Sequence, residues 1–191
     1  MKHIDARKNH ELPNYSITNR TFLFASKEMM TPLTAAKPIV IVDMDGTLAD
    51  VRHRLHYIKG SGKKDWKRFF EGQVHDKPFA AIAQRVRSLS GDHDIVIVTG
   101  RPEQYRDGTE AWLRKFGIPF SRIYMRPAGD HRPDYVLKGE ILKKLGPERV
   151  SLAFEDRRPV WEVYRRAGVQ VIAVNHGEEN REINEEYRSI A

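Results

Sequence analysis

Five short apolar runs, rich in β-branched residues, punctuate the chain. They read IVIV at 39–42, DIVIVT at 94–99, RIYM at 122–125, VSLAF at 150–154 and VQVIAV at 169–174. Runs without polar alternation fit strands buried on both faces, as in parallel sheets. Between them lie patterns of helical period. Ile82, Val86 and Leu89 share one face after Pro78, and Tyr105, Thr109, Trp112 and Phe116 share another after Pro102. Gly117 then stands where a helix stop is expected. Asp134 has the place of an N-cap for a helix whose buried side holds Leu137, Ile141 and Leu145. Val160, Trp161, Tyr164 and Ala167 mark a last helix, closed by Gly168. Strands alternating with helices predict an α/β, Rossmann-like fold: a central parallel sheet of about five strands with helices on both faces.

The pattern fades at both ends. Residues 1–37 mix Pro, Asn, Thr and charges around one apolar patch at 21–25, and are expected to form an arm. The domain spans 38–176, and 177–191 is a polar, glutamate-rich tail. The total of 191 residues suits one domain with short appendages. No internal repeat is visible.

Composition narrows the class. The chain is 40% hydrophobic and 31% charged. It lacks the run of about 18 apolar residues that a membrane span needs. Its N-terminus lacks the apolar core of a secretory signal. There is no cysteine, which excludes disulfides and thiolate zinc sites and is compatible with a cytoplasmic location. The net charge of +7 suits a polyanionic partner such as nucleic acid or a phosphorylated ligand. It equally suits a soluble basic protein with no such partner, and charge alone leaves both open.

Four signals fall at strand ends or at the helix starts that follow, the edge where open α/β sheets bind ligands. The first is Asp43-Met44-Asp45-Gly46-Thr47. Two carboxylates two residues apart can converge on a hard cation such as Mg²⁺, which prefers oxygen ligands. A carboxylate can also attack phosphorus, and a second can protonate the leaving oxygen and later activate water. The second signal is Thr99-Gly100-Arg101, whose hydroxyl and backbone N–H groups can hold phosphoryl oxygens. The third is Lys138, early in the helix begun at Asp134 and able to neutralise phosphate charge. The fourth is Glu155-Asp156, directly after an apolar strand and able to complete a metal shell. Singly, the last three are weak: strands often end in Thr-Gly, a lone Lys in a first turn is usually surface, and an acidic pair after a strand is more often a loop feature than a ligand; the DxDGT string is the specific one.

In this order the four resemble the haloacid dehalogenase-like (HAD) phosphatase superfamily over roughly Pro38 to Val174. The resemblance implies Asp43 as nucleophile, Asp45 as general acid/base, Thr99 as phosphate ligand and Lys138 as the motif lysine. It implies Glu155 and Asp156 as the acidic metal motif, with Mg²⁺ between Asp43, Asp156 and the backbone carbonyl of Asp45. The second aspartate, Asp45, marks phosphoryl transfer rather than dehalogenation. The segments VDMDGTLAD, IVIVTGR, RPDYVLKGEIL and LAFEDRRPVWEVYRRAGVQVIAV further resemble the 3′-phosphatase domains of polynucleotide kinase-phosphatases. That likeness adds Thr47, Arg54, Gly100, Arg101 and Asp134 as expected substrate-binding residues. One departure is Glu155, where that family has Asp.

The stretch 50–77 is too short for a folded cap domain. It carries eight Lys/Arg against four acids, with Tyr57, Trp66, Phe69 and Phe70 interleaved. Basic groups beside stacking surfaces suit an exposed nucleic-acid strand. The spacing of Trp66, Phe69 and Phe70 equally suits a small helical core. Gly60-Ser61-Gly62-Lys63 resembles the end of a phosphate-binding P-loop, but Tyr57 stands where the first Gly belongs and Lys64 where Ser or Thr belongs. A P-loop is therefore rejected. His53 and His56 lack a third ligand, so phosphate contact or packing is expected of them.

The expected activity is Mg²⁺-dependent phosphomonoester hydrolysis through an aspartyl-phosphate, with 3′-phosphate ends of DNA or RNA as substrate. A mononucleotide phosphatase would use the same residues. A catalytically idle nucleic-acid-binding module would be expected to have lost one of the aspartates.

Overall fold

A computed structural model describes residues 36–174. The expected tail, and all but the last two residues of the expected arm, lie outside the described residues. Strand β1 (Ile39–Val42) leads into a small insertion made of β2 (Ala49–Asp50), helix α1 (Trp66–Glu71) and β3 (Lys77–Pro78). Then follow α2 (Ala80–Leu89), β4 (Asp94–Pro102), α3 (Arg106–Lys115), β5 (Arg122–Arg126), α4 (Asp134–Leu145), β6 (Val150–Glu155), α5 (Arg158–Arg166) and β7 (Gln170–Ala173). Five strands form one sheet in the order β5-β4-β1-β6-β7, and every pairing in it is parallel.

All five expected strands and four expected helices are present. β1 lies at the centre, and all four of its residues are buried. Its side chains alternate between two cores. Val40 and Val42 join Ala83, Val86, Trp112 and Leu113 of α2 and α3. Ile39 and Ile41 join Leu137, Ile141, Val160 and Tyr164 of α4 and α5. A strand between two helical layers has no polar face to show, which is why its sequence is apolar throughout.

Two details differ from expectation. β4 runs on to Pro102, because Pro102 pairs with Arg126 beyond a register shift. Asp134 does not cap α4; it is the first helical residue, after Pro133. Its carboxylate instead pairs with Arg126 and Arg157. Charge-assisted bonds to two guanidinium groups outcompete a neutral backbone N–H.

The insertion is closed at its base by the antiparallel pairing of β2 with β3. Inside it, Val51, Leu55, Ile58 and Phe69 form a separate small core, with Tyr57, Trp66 and Phe70 packed against it. The helical-core reading of these aromatics therefore holds for Phe69, which is fully buried; Trp66 and Phe70 keep a partly open face. Burying a side chain the size of Phe69 contributes roughly 1.5–3 kcal/mol, which offsets part of the backbone entropy of ordering the segment, about 1–2 kcal/mol per residue. Asp65 caps α1, its carboxylate accepting from the Arg68 N–H at 3.0 Å. Among the described residues no helix is long and apolar enough to cross a membrane.

Candidate active site

Parallel pairing brings the strand ends into line. Val42 lies opposite Ile97 and Phe154, so Asp43, Thr99 and Glu155-Asp156 all emerge at the same edge of the sheet. Lys138 reaches that edge from the second turn of α4. Its Nζ donates to Asp43 Oδ1 at 2.6 Å and to Glu155 Oε2 at 2.8 Å, and it is 1% exposed.

Asp43, Glu155 and Asp156 are all buried, and each offers an oxygen within 4.8 Å of the other two. Burial pushes the Asp43 carboxyl up to about 7, against the pull of Lys138. Burial likewise raises Glu155 and Asp156 to about 7. It also works against the Lys138 charge, but Asp43 and Glu155 hold that ammonium well above its ordinary range. Lys138 bonds two of the three carboxyls, and the Arg157 charge also acts on Glu155 and Asp156, yet burial outweighs both cations and all three carboxyls stay raised. Asp156 Oδ1 accepts from Thr47 Oγ1 at 3.2 Å, whereas Asp156 Oδ2 is buried with no hydrogen-bond partner. An orphaned buried carboxylate oxygen beside two other carboxyls fits a hard divalent cation. Gly46 keeps the place open: its φ is +84°, and any Cβ there would collide with Asp156 Oδ2.

Asp45 sits in a different environment. Arg54 Nη2 donates to Asp45 Oδ1 at 2.6 Å, and Arg101 Nε donates to both its carboxylate oxygens at 3.0 Å. Arg101 Nη2 also bonds Asp45 Oδ1. Burial alone would raise this carboxyl, but Arg101 and Arg54 hold it far below the usual range. Both arginines are fully buried. Among their described partners are carboxylates and carbonyls of the protein. Arg54 donates to both oxygens of Asp76 at 2.8 Å and to the Phe69 carbonyl at 2.9 Å. Arg101 donates to Gln73 Oε1 at 2.6 Å and to Asp76 Oδ2 at 3.0 Å.

The remaining expected residues lie close by. Thr99 is 1% exposed, and its Oγ1 accepts from the Arg101 N–H at 3.2 Å. Gly100 faces Asp134 so closely that a Cβ would stand 2.7 Å from its Oδ1. His53 faces Asp76 Oδ1 at 2.8 Å.

Sequence reasoning missed Asp76 and its supports. Asp76 is 1% exposed and takes donors from Arg54, Arg101 and His53. Its backbone carbonyl accepts from the Trp112 indole at 2.8 Å. Gln73 Oε1 accepts from Thr109 Oγ1 at 2.8 Å as well as from Arg101. The available signal was indirect. Arg54 and Arg101 were expected in the site, and two buried arginines around one carboxylate demand a second anion.

Comparison with known proteins identifies the family and the fold. The family model described as the polynucleotide kinase PNKP phosphatase domain matches residues 37–178. A protein of Autographa californica nuclear polyhedrosis virus, named as a bifunctional polynucleotide kinase/RNA ligase, is 30% identical over 124 residues. That alignment covers 62% of this chain and 16% of the viral protein. A chain in the structure of the Pnkp1/Rnl/Hen1 RNA repair complex superposes with a TM-score of 0.61 at 25% identity. It covers 78% of this chain and 47% of the other. A haloacid dehalogenase-like hydrolase from Streptococcus pneumoniae shares the fold at 16% identity and a TM-score of 0.50, covering 80% of this chain and 91% of that one. The chain thus spans less than half the length of the viral protein and of the repair-complex chain it matches.

Proposed function

The chain belongs to the family of polynucleotide kinase PNKP phosphatase domains, within the HAD phosphatases, and from that premise we propose that it removes 3′-phosphates from polynucleotide ends with the help of Mg²⁺. It is a phosphatase by family; the 3′ end, the metal and the covalent intermediate are the proposal. The observation that carries it is Asp43, held at the end of the central strand by Lys138 and within coordination reach of Glu155 and Asp156. The chain in the RNA repair complex supports a polynucleotide end as the substrate class.

Asp43 Oδ1 is tied to Lys138, which leaves Oδ2 to attack phosphorus and form an aspartyl-phosphate. Asp43, Asp156 and the Asp45 carbonyl would hold the Mg²⁺, with Glu155 reaching it directly or through water. The bound cation would neutralise phosphoryl charge and draw the phosphate against the nucleophile. Lys138 adds a positive charge at the same oxygens, and Thr99 and Gly100 supply the phosphate cradle at the strand end.

Asp45 is the general acid/base. Arg54 and Arg101 keep it ionised, the form that takes a proton from the attacking water in the second half-reaction, and by holding its carboxyl so low they also weaken it as a base until they are drawn away. In the first half-reaction, a phosphoryl group competing for the same guanidinium groups would release Asp45 to carry the proton to the leaving 3′-hydroxyl. Arg101 thereby acts on both the acid and the substrate.

The test is Asp43→Asn with a 3′-phosphorylated oligonucleotide. Turnover should fall below detection while the circular dichroism spectrum is retained, and chelation of the wild type with EDTA should stop turnover until Mg²⁺ is restored. Steady-state hydrolysis by Asp43→Asn near the wild-type rate would refute the nucleophile, and full activity in EDTA would refute the metal.

A further inference from the structure

The insertion and the segment from Pro102 to Tyr105 leave a groove of about 500 Å³ between them. Trp66 and Phe70 of α1 form one wall; Pro102 and Tyr105 form the other. The rings are arranged as a series. Trp66 and Phe70 are stacked at 5.8 Å with 24° between their planes, and Phe70 meets Tyr105 at 5.2 Å and 33°. Phe69, the neighbour whose ring closes the small core, is fully buried; the rings of the groove are only partly so. Trp66 and Phe70 pack against that core without being fully buried by it, and Tyr105 is likewise only half-buried.

Each wall of the groove contains a residue that follows, in sequence, a member of the Asp45 hydrogen-bond network. Phe70 follows Phe69, whose carbonyl accepts from Arg54 at 2.9 Å, and Arg54 donates onward to Asp45 at 2.6 Å. Pro102 follows Arg101, which donates to Asp45 from the other direction at 3.0 Å. The first wall thus abuts a residue bonded to Arg54, and the second abuts Arg101 itself; both arginines hold the general acid. The rim is of mixed charge: exposed Lys67 pairs with Glu71, which also lines the groove, and Arg68 pairs with Asp65, so the aromatic rings rather than the charges recommend the groove.

We propose that this groove is a stacking platform for the base of the nucleotide that carries the 3′-phosphate. The inference rests on the polynucleotide reading above and adds what the site holds besides phosphate. Every nucleobase has a π-face, so stacking on tyrosine and tryptophan gains affinity without selecting sequence. It also places the sugar between the platform and Asp45, where the leaving 3′-oxygen has to be. A site that took only the phosphate would gain nothing from a groove walled by half-buried aromatic rings.

The experiment compares two 3′-phosphorylated oligonucleotides, identical except that the last residue of one is abasic. The wild type should process the base-bearing end about 10-fold better in kcat/KM, mainly through KM, the scale of one stacked base. Tyr105→Ala should shrink that ratio several-fold, and Tyr105→Phe should keep it. Trp66→Leu, which keeps an apolar side chain against the small core while removing the indole face, should shrink it independently. Equal turnover of both ends by the wild type overturns the platform and needs no variant to interpret. An unchanged ratio in both Tyr105→Ala and Trp66→Leu overturns it too. If the wild type hydrolyses a small aryl phosphate but neither oligonucleotide, the polynucleotide reading falls, and the platform with it.

Discussion

Asp45 and Asp156 lie at the same sheet edge, yet their environments push their carboxyls in opposite directions. Asp45 is wrapped by two arginines and stays charged; Asp156 is buried with one oxygen unpartnered and is raised to about 7. The unfolded carboxyl titrates near 3.8, so the folded state holds the Asp156 proton more tightly. The stability this lends is present below about pH 4 and is lost as pH rises toward 7. Metal ligands must be deprotonated, so Mg²⁺ should stabilise the protein more at about pH 8 than at about pH 5. Asp156→Asn should lose less stability than the wild type between those pH values and should lose most of the Mg²⁺ effect, whereas Glu155→Asp should keep most of it. Thermal melts with and without Mg²⁺ check this, and an Asp156→Asn protein stabilised by Mg²⁺ as strongly as the wild type would remove it from the ligand set. At Asp76 the concern is the arginine pair. Asp76→Asn leaves Arg54 and Arg101 short of one buried counter-charge, which should cost about 3 kcal/mol or more in denaturant unfolding. It should also lower kcat about 10-fold or more, as loss of outer-shell support does at other sites. Wild-type stability and kcat in this variant would show that the second anion is dispensable.

At the scale of elements, five strands and four helices were legible because each buries a continuous or periodic apolar face. The alignment of DxDGT, Thr-Gly and Glu-Asp at one edge followed from parallel order alone, since every parallel strand ends on the same side. What could not be read was anything set by side-chain pairing across the insertion. Asp76 sits in a polar stretch with no period, and its role exists only because Arg54 and Arg101 fold back onto it. Asp134 misled for the same reason: its helix-start position suggested a cap, while its partners, Arg126 and Arg157, lie 8 and 23 residues away in sequence. The insertion was ambiguous between core and binding surface, and it divides: Phe69 is core, while the charged residues around α1 remain outside. Lys63, Lys67 and Arg68 are exposed. Replacing Lys63, Lys64, Lys67 and Arg68 with Ala should raise KM for a 3′-phosphorylated oligonucleotide. It should also flatten the log–log salt dependence by about one unit for each backbone phosphate that no longer meets a cation. An unchanged salt slope would assign polymer binding to another face of the protein.

For the whole molecule, the central sheet, the paired acids and the basic balance converge on phosphate chemistry, and among the described residues the insertion at the catalytic edge holds one short α-helix and a two-stranded pairing rather than a folded cap domain. An edge of this kind admits the end of a long chain, whereas a folded cap over the same acids would enclose a small metabolite; the inference is one of fold analogy. The net charge of +7 adds attraction for a polyanion but no choice of end. The choice of end is what the account stakes most on. The most direct measurement is kcat/KM in Mg²⁺ for one oligonucleotide sequence phosphorylated at its 3′ end, the same sequence phosphorylated at its 5′ end, and the matching 3′-mononucleotide. The account predicts that the 3′-phosphorylated oligonucleotide is processed at least about 10-fold faster than either, one stacked base and a few backbone phosphates being worth that much. Equal or faster hydrolysis of the mononucleotide, or of the 5′-phosphate, would contradict it.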